Sequence, residues 1–356
     1  MKLGAVPQNP LERIVKALGR SPEPLLETHI AMLLARAVME GARLGVFAAL
    51  ADGPLSSGEI AARCGGHPRA TRKLLDALAG CEYLGFDAGR YSLTPMARKW
   101  LLPDSPQSLH DKLLLQFVEW DFIAHTGEYV RTGKPIDLHT SISPEEWGLY
   151  QRGMRSVSSA WAPEMARRTP VPKGAKDMLD IGGSHGFLSV AICRRHPGLR
   201  SVVLDLSEAI EHAAPILGRE GMGDRVTHRA GNALVDDLGS EAWDVVLIAN
   251  LVHHFDDATN RELARKVARA LRPGGVFVIH ELIRPRSPNE AGQIGALLDL
   301  YFALTSQSGT WSFEEMADWQ RAAGLKPLKP VRLLTVPGNG LQSAVKGRDY
   351  PRELAR

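Results

Sequence analysis

Apolar residues recur at three-to-four spacing at Leu26, Ile30, Leu33, Leu34 and Val38, the rhythm of an amphipathic helix. A helical pattern of this kind dominates from about Pro24 to Pro170. Within it, Ser57 precedes a short helix expected over Glu59–Cys64, a Gly-Gly turn follows, and a second helix runs from about Pro68 to Ala79. YLGF, the turn DAGR and YSLT then read as a small hairpin, which completes a winged-helix layout. Helical spacing resumes over Glu119–Arg168, interrupted by the loop TGKPIDLH.

The run RRTPVPKGAKD (Arg167–Asp177) ends this pattern. Beyond it, apolar strand-like runs at Asp177–Ile181, Ser201–Leu204, Arg225–Ala230, Trp243–Ala249 and Val276–Ile279 alternate with helical stretches. Two of these are Phe187–His196 and Ala258–Leu271, the latter expected to end at the turn RPGG. Such alternation predicts an α/β fold, with a mainly parallel, Rossmann-like sheet covered by helices and a mostly helical winged-helix region before it. The expected domains are 1–105, linking helices at 106–172, the sheet domain at 173–346 and a polar tail at 347–356. Ligands of such sheets lie beyond the carboxyl ends of the strands, so the loops there carry the chemistry.

Composition narrows the function classes. The 356 residues carry a net charge of +3, too slight to call for nucleic acid or an acidic membrane as partner. Arg69, Arg72 and Lys73 on the second winged-helix element do pose a DNA-binding reading, but phosphate neutralisation calls for a broader basic surface. Cys64, Cys81 and Cys193 are widely spaced, which points to buried thiols in a reducing compartment and to no zinc site. The N-terminus has no continuous apolar core, and the apolar region Ile30–Leu50 is broken by Arg36, Glu40 and Arg43. A cytoplasmic protein with no membrane span is expected.

The loop after the first strand reads LDIGGSHGFL (Leu179–Leu188) and matches G-x-S-x-G at Gly182–Gly186. A hydrolase would use Ser184, Asp205 and His253, but its elbow needs strands before the nucleophile, and here the loop follows the first one. A dinucleotide fingerprint fails at Ser184 and Phe187, where glycines are required. Gly133-Lys134 is not a phosphate loop, because Pro135 stands where Ser or Thr is needed. What remains is Asp180-x-Gly182-Gly183-x-x-Gly186 at a strand-to-helix turn, with Asp205 ending the next strand. Glycines admit close backbone approach to a ligand, and an acid at the second strand end accepts from ribose hydroxyls.

LDIGGSHG followed by VVLDL resembles the cofactor motifs of class I S-adenosylmethionine-dependent methyltransferases. The wider chain resembles small-molecule O-methyltransferases with an N-terminal winged-helix dimerisation domain, of caffeate, acetylserotonin and bacterial natural-product type. GVFAALADGPLSSGEIAARCG, YSLTPMARKWL, VRTGKP, YQRGM, LDIGGSHG, LVHHFDD, LRPGG and AAGL follow in family order from about Glu27 to Lys346. The resemblance implies a methyltransferase sheet, a homodimer formed through the N-terminal domain, S-adenosylmethionine as cofactor and S-adenosylhomocysteine as product. It assigns the cofactor to Asp180, Gly182, Gly183, Gly186, Asp205, Leu206, Gly231, Asn232, Ala233 and Asn250. Asn232 stands where the family has an Asp that approaches the adenine amine.

The resemblance also places a general base at His253, supported by Glu281, with His254 structural. The family's second acid falls at Thr310, in SGTWS, and Glu314 and Glu315 beyond it read as surface residues. Tyr150, Met154, Asp299, Tyr301 and Phe302 are the implied acceptor contacts, with Phe117 and Trp120 as outer contributors. An imidazole within reach of a phenol can take its proton as the methyl transfers. No metal is expected: adjacent His253 and His254 with Asp256 and Asp257 project differently, and H-E-x-x-H from His280 finds Arg284. The rivals are nitrogen or carbon methylation, or a non-methylating use of the cofactor, on the same fold. From another class, the rival is a winged-helix DNA-binding regulator with a vestigial cofactor domain.

Overall fold

A computed structural model describes residues 3–136, 138–336 and 338–347; of the expected tail at 347–356, all but Gly347 lie outside these residues. The chain divides into two compact units, 1–117 and 118–356.

The first unit is helical around one hairpin. Helix Ala31–Arg43 buries Val38, Met39 and Ala42, and helix Pro68–Gly80 buries Leu75 and Leu78 into the same core. Gly41 lets the ring of Phe47 close in, since a Cβ there would meet it at 3.0 Å. Strands β1 (Leu84–Asp87) and β2 (Arg90–Leu93) pair antiparallel as the wing. Tyr91 on β2 sends its side chain into the core and its hydroxyl to Asp76, 2.6 Å away. The helix expected from Glu59 begins two residues earlier, at Ser57. Ser56, not Ser57, is the cap, because its hydroxyl accepts the Glu59 N–H while the Glu59 carboxylate accepts the Ser56 N–H at 2.7 Å.

In the second unit β3 (Asp177–Ile181), β4 (Arg200–Asp205), β5 (Val226–Ala230), β6 (Trp243–Ala249) and β7 (Leu271–Leu282) run parallel. β10 (Asn339–Val345) pairs antiparallel with β7, and β8 (Lys326–Pro327) and β9 (Val331–Arg332) pair with β10. The order β5-β4-β3-β6-β7-β10-β8 reverses direction at β3, so the crevice beside β3 and β6 is the ligand position of a doubly wound sheet. Two apolar layers cover the faces: Met178, Val190 and Val245 on one, Leu179, Val246 and Phe277 on the other. Side chains such as Leu179, fully buried, each stabilise by about 1.5–3 kcal/mol.

The RPGG run behaves differently from the expected turn. Trp243 faces Leu271 and Val245 faces Val276, so residues 272–275 loop out as a bulge inside β7. The loop survives because the Gly274 N–H bonds Lys346 O, and Gly274 has the positive φ of 80° that the bulge demands. β8, β9 and β10 escaped the sequence reading. They are short or interrupted by polar residues such as Gln342, which is buried against Gln320.

Candidate active site

The loops after β3, β4 and β5 form a cradle made mostly of backbone. Gly182 (φ 66°) and Gly186 (φ 71°) adopt left-handed conformations that glycine adopts at little cost. A Cβ at Gly182 would meet Leu251 at 2.7 Å, one at Gly183 would meet the Asp180 carboxyl at 2.5 Å, and one at Gly231 would meet Asp236 at 2.5 Å. Asp205 ends β4 and accepts two backbone N–H groups, from Ser184 and Leu206, each at 2.8 Å. Burial raises its carboxyl above the ordinary range. Each carboxylate oxygen keeps a further lone pair for a ribose hydroxyl.

Asp180 lies fully buried beneath Gly183, where one oxygen accepts the Ser189 hydroxyl at 2.7 Å and the other, Oδ1, lacks a partner. Burial pushes its carboxyl up to about 7. The missing Cβ atoms, the acid at the end of β4 and this orphaned oxygen fit the polar, amine-bearing nucleoside expected from the motif. Leu206 is exposed at the start of the next helix. Asn232 turns its side-chain oxygen to the Leu234 N–H at 2.9 Å, while Ala233 O accepts from Lys266. Asn250 follows β6 with a φ of 51° and donates its N–H to His280 O.

Ser184, also at positive φ (55°), donates its hydroxyl to the Gln151 side chain. Its carbonyl oxygen accepts from His228 at 2.8 Å. Among the described residues no imidazole accepts from the Ser184 hydroxyl, so the loop has no nucleophile–base pair and the hydrolase reading fails.

His253 sits on a short 3-10 turn, Val252–His254, beyond the carboxyl end of β6, and is 4% exposed. Its Nδ1 lies 3.0 Å from Oε2 of Glu281, which is fully buried on β7. The other Glu281 oxygen accepts the Leu282 N–H at 3.0 Å. A carboxylate only accepts, so the shared proton belongs on Nδ1 and Nε2 keeps its lone pair. The turn is clamped from outside. Asn260 donates to Val252 O at 3.0 Å and Phe255 O at 3.1 Å, and the Trp311 indole N–H donates to Val252 O at 3.0 Å. Asn260 and Trp311 were missed by sequence reasoning; the available signal was a polar residue inside the apolar stripe of helix Asp257–Ala270.

Of the expected acceptor residues, Phe302 touches this base directly. Phe302 meets the His253 ring edge-on with centroids 4.6 Å apart, and His254 packs at 4.2 Å. Tyr301 donates its hydroxyl to Glu119 at 3.0 Å. Burial and the adjacent Glu119 charge push the Tyr301 hydroxyl far up. Tyr150 packs edge-on against Trp147 at 5.7 Å, and burial followed by the charges of Glu119 and Asp205 raises its hydroxyl as well. Met154, half-buried, lies one helical turn further along Pro144–Ser158. Asp299 accepts from the Thr310 hydroxyl. Phe117 belongs to the first unit, where Arg36 and Arg43 lie over its ring. Glu119, buried and placed by the long-range bond to Tyr301, had no sequence signal. No group of three or more His, Cys, Asp or Glu side chains suited to a metal occurs among the described residues.

Comparison with known proteins gives a consistent picture. Residues 128–325 match a family model described as an O-methyltransferase domain, and residues 28–103 match an O-methyltransferase dimerisation domain. The chain is 27% identical over 317 residues to a 3-hydroxy-5-methyl-1-naphthoate 3-O-methyltransferase of Streptomyces sahachiroi, covering 85% of this chain and 89% of that one. It is 27% identical over 334 residues to the N,N-dimethyltransferase OxyT of Streptomyces rimosus, covering 90% and 96%. The fold superposes on human N-acetylserotonin methyltransferase solved with S-adenosylmethionine, with a TM-score of 0.81 at 19% identity, over 97% of this chain and 100% of that one.

Proposed function

This chain belongs to the O-methyltransferase family, and we propose that it transfers a methyl group from S-adenosylmethionine to a hydroxyl of a small aromatic acceptor, with His253 as general base. The observation that carries the reading is the buried His253–Glu281 pair, 3.0 Å apart, at the strand ends beside the glycine cradle. S-adenosylmethionine supplies an electrophilic methyl group when bound. The chain's own part is positioning and proton removal. Asp205 holds the ribose hydroxyls, and the loops at Gly182, Gly183, Gly186, Gly231, Asn232, Ala233 and Asn250, with Leu206, surround the remainder. Asp180 fixes the loop from beneath or accepts from the cofactor's ammonium group. Nε2 of His253 accepts the acceptor's hydroxyl proton, and Glu281 stabilises the imidazolium that results. Aligning the acceptor for in-line displacement supplies the rest.

In this reading residues 1–105 pair two copies of the chain, 106–172 supply part of the acceptor wall and 173–346 hold the cofactor. Pairing is supported by the dimerisation-domain match and by exposed apolar residues such as Ile30, Met32, Leu33 and Leu44. The same match favours pairing over DNA binding for the helix bearing Arg69, Arg72 and Lys73. DNA retention that is sequence-independent and steeply salt-dependent would favour the DNA-binding regulator, and its absence leaves pairing as the role of this region. The three cysteines are free, which supports a cytoplasmic setting, but only Cys193 is the buried thiol expected: Cys64 is half-buried and Cys81 is exposed. Among the described residues no helix is long and apolar enough to cross a membrane.

Transfer of labelled methyl to a naphthol, with S-adenosylhomocysteine binding followed by calorimetry, tests the reading. Binding without transfer to any phenol would contradict it. Thr310 at the second acid position and the similarity to an N,N-dimethyltransferase favour amine methylation as a second reading; an aromatic amine in the same assay separates the two.

A further inference from the structure

We propose that Asp299, held by Thr310, is a specificity-determining residue that accepts a hydrogen bond from a second donor on the aromatic acceptor, a hydroxyl or amino group away from the reacting hydroxyl. The same carboxylate turns away acceptors that carry a carboxylate at that place. This rests on the hydroxyl-methylation reading above.

Two independent routes bring the Asp299 carboxylate to the acceptor side of His253. On helix Pro288–Thr305, past the non-helical Gly292, Asp299 and Phe302 are three residues apart and share a face. Phe302 is the residue whose ring meets His253 at 4.6 Å. From the other direction, the segment 308–311 is fastened to the His253 turn at both ends. The Ser308 N–H donates to His253 O at 3.3 Å and the Trp311 indole donates to Val252 O at 3.0 Å. Thr310 lies between these anchors, 2% exposed, and its hydroxyl donates to Asp299 Oδ1.

The partners leave this carboxylate unfinished. An ionised carboxylate offers about four acceptor sites, and Thr310 fills one. No ion pair reaches Asp299 among the described residues. Arg284, which donates to the Thr310 carbonyl oxygen at 3.2 Å, directs its other nitrogen to Glu315. A half-buried acid with one fixed hydrogen bond and spare lone pairs discriminates by requiring a donor opposite it. The short Thr310 side chain is what makes this possible. An acid at 310 would repel Asp299, whereas a hydroxyl aims it.

The test uses one naphthol frame carrying a second hydroxyl, a methoxy group in its place, or a carboxylate there. kcat/KM for each is measured with labelled S-adenosylmethionine for wild type, Asp299→Asn and Thr310→Val, with S-adenosylhomocysteine affinity measured alongside. Wild type prefers the dihydroxy probe over the methoxy probe by roughly tenfold or more, the loss expected for one charge-assisted hydrogen bond. Asp299→Asn loses most of that preference and gains use of the carboxylate probe, Thr310→Val falls between, and S-adenosylhomocysteine affinity is unchanged in both. A preference kept in Asp299→Asn, or absent from wild type, overturns the proposal. Wild type that binds S-adenosylhomocysteine yet methylates none of the three probes overturns the hydroxyl-transfer reading itself, and this proposal with it.

Discussion

The proposed cofactor cradle and the proposed acceptor wall are built by opposite means. The cradle lies within one stretch from Asp180 to Ala233, with Asn250 added from the next strand, and its shape is set by backbone where side chains are forbidden: Cβ atoms at Gly182, Gly183 and Gly231 would sit under 3 Å from neighbouring atoms. The acceptor wall is made of side chains drawn from Glu119 to Thr310, joined by contacts such as Tyr301 to Glu119 that span 182 residues. A backbone-made site is constrained by sterics to a few residue types, so it leaves a motif. A side-chain-made wall tolerates exchange at each position, which is where an acceptor preference is set. His253 stands between them, on a turn fixed by the sheet domain but facing the wall.

The largest effect that sharpens this contrast falls on the base. His253→Gln cuts methyl transfer to a naphthol by about 10²- to 10⁴-fold, the usual contribution of a general base, with S-adenosylhomocysteine affinity intact by calorimetry. On the cradle side, Asp205→Ala removes a charged acceptor for ribose hydroxyls and an anchor for the Ser184 N–H. It weakens S-adenosylhomocysteine binding by roughly a hundredfold, near 3 kcal/mol, in the same calorimeter. Gly183→Ala forces a methyl to within 2.5 Å of the Asp180 carboxyl. Overpacking of about 1–3 kcal/mol should appear as a lowered Tm and weaker cofactor binding. Ser184→Ala loses one hydrogen bond to Gln151, and its kcat should change only a few-fold, whereas a nucleophilic serine would be indispensable.

A last effect, on stability and not on turnover, concerns His280, which neighbours Glu281 on β7 yet stacks on Trp161 at 4.5 Å with both ring nitrogens unpartnered. Burial pushes its imidazole from 6.5 down to about 4. The unfolded chain therefore binds a proton below pH 6.5 that the folded chain refuses until about pH 4, and stability falls across that window as pH drops. Each pH unit costs about 1.4 kcal/mol from this group. Asp180, raised to about 7, works in the opposite direction, since folding then favours its protonated form below that pH. His280→Phe should leave a shallower acid limb in denaturant midpoints and unchanged methyl transfer.

How much was legible follows the same division. Asp177–Ile181 and Trp243–Ala249 were read to the residue because buried parallel strands are continuous apolar runs. The bulge at 272–275 was read as a turn because proline and glycine mark both, and only the register with β6 distinguishes them. Glycine spacing located the cradle, but nothing in the sequence joined Gln151 to Ser184 or Asp236 to Gly231, since those pairings exist only after the helices and strands pack. The division after Phe117 falls inside helix His110–Ala124, and spacing along that helix does not say which residues belong to which unit. Asp299 was legible only as an expected acceptor contact, while its hydrogen bond from Thr310 had no signal in the sequence.

The central claim is that His253 removes a proton, beyond holding the acceptor in place. Single-turnover methyl transfer by wild type and His253→Gln is compared on a weakly acidic naphthol and on 4-nitrophenol at a pH where 4-nitrophenol is already ionised. A base is redundant for an acceptor that has already lost its proton. The defect of His253→Gln should be large on the naphthol and shrink to a small residue on the nitrophenolate. An equal defect on both would contradict proton removal and leave His253 as a positioning residue.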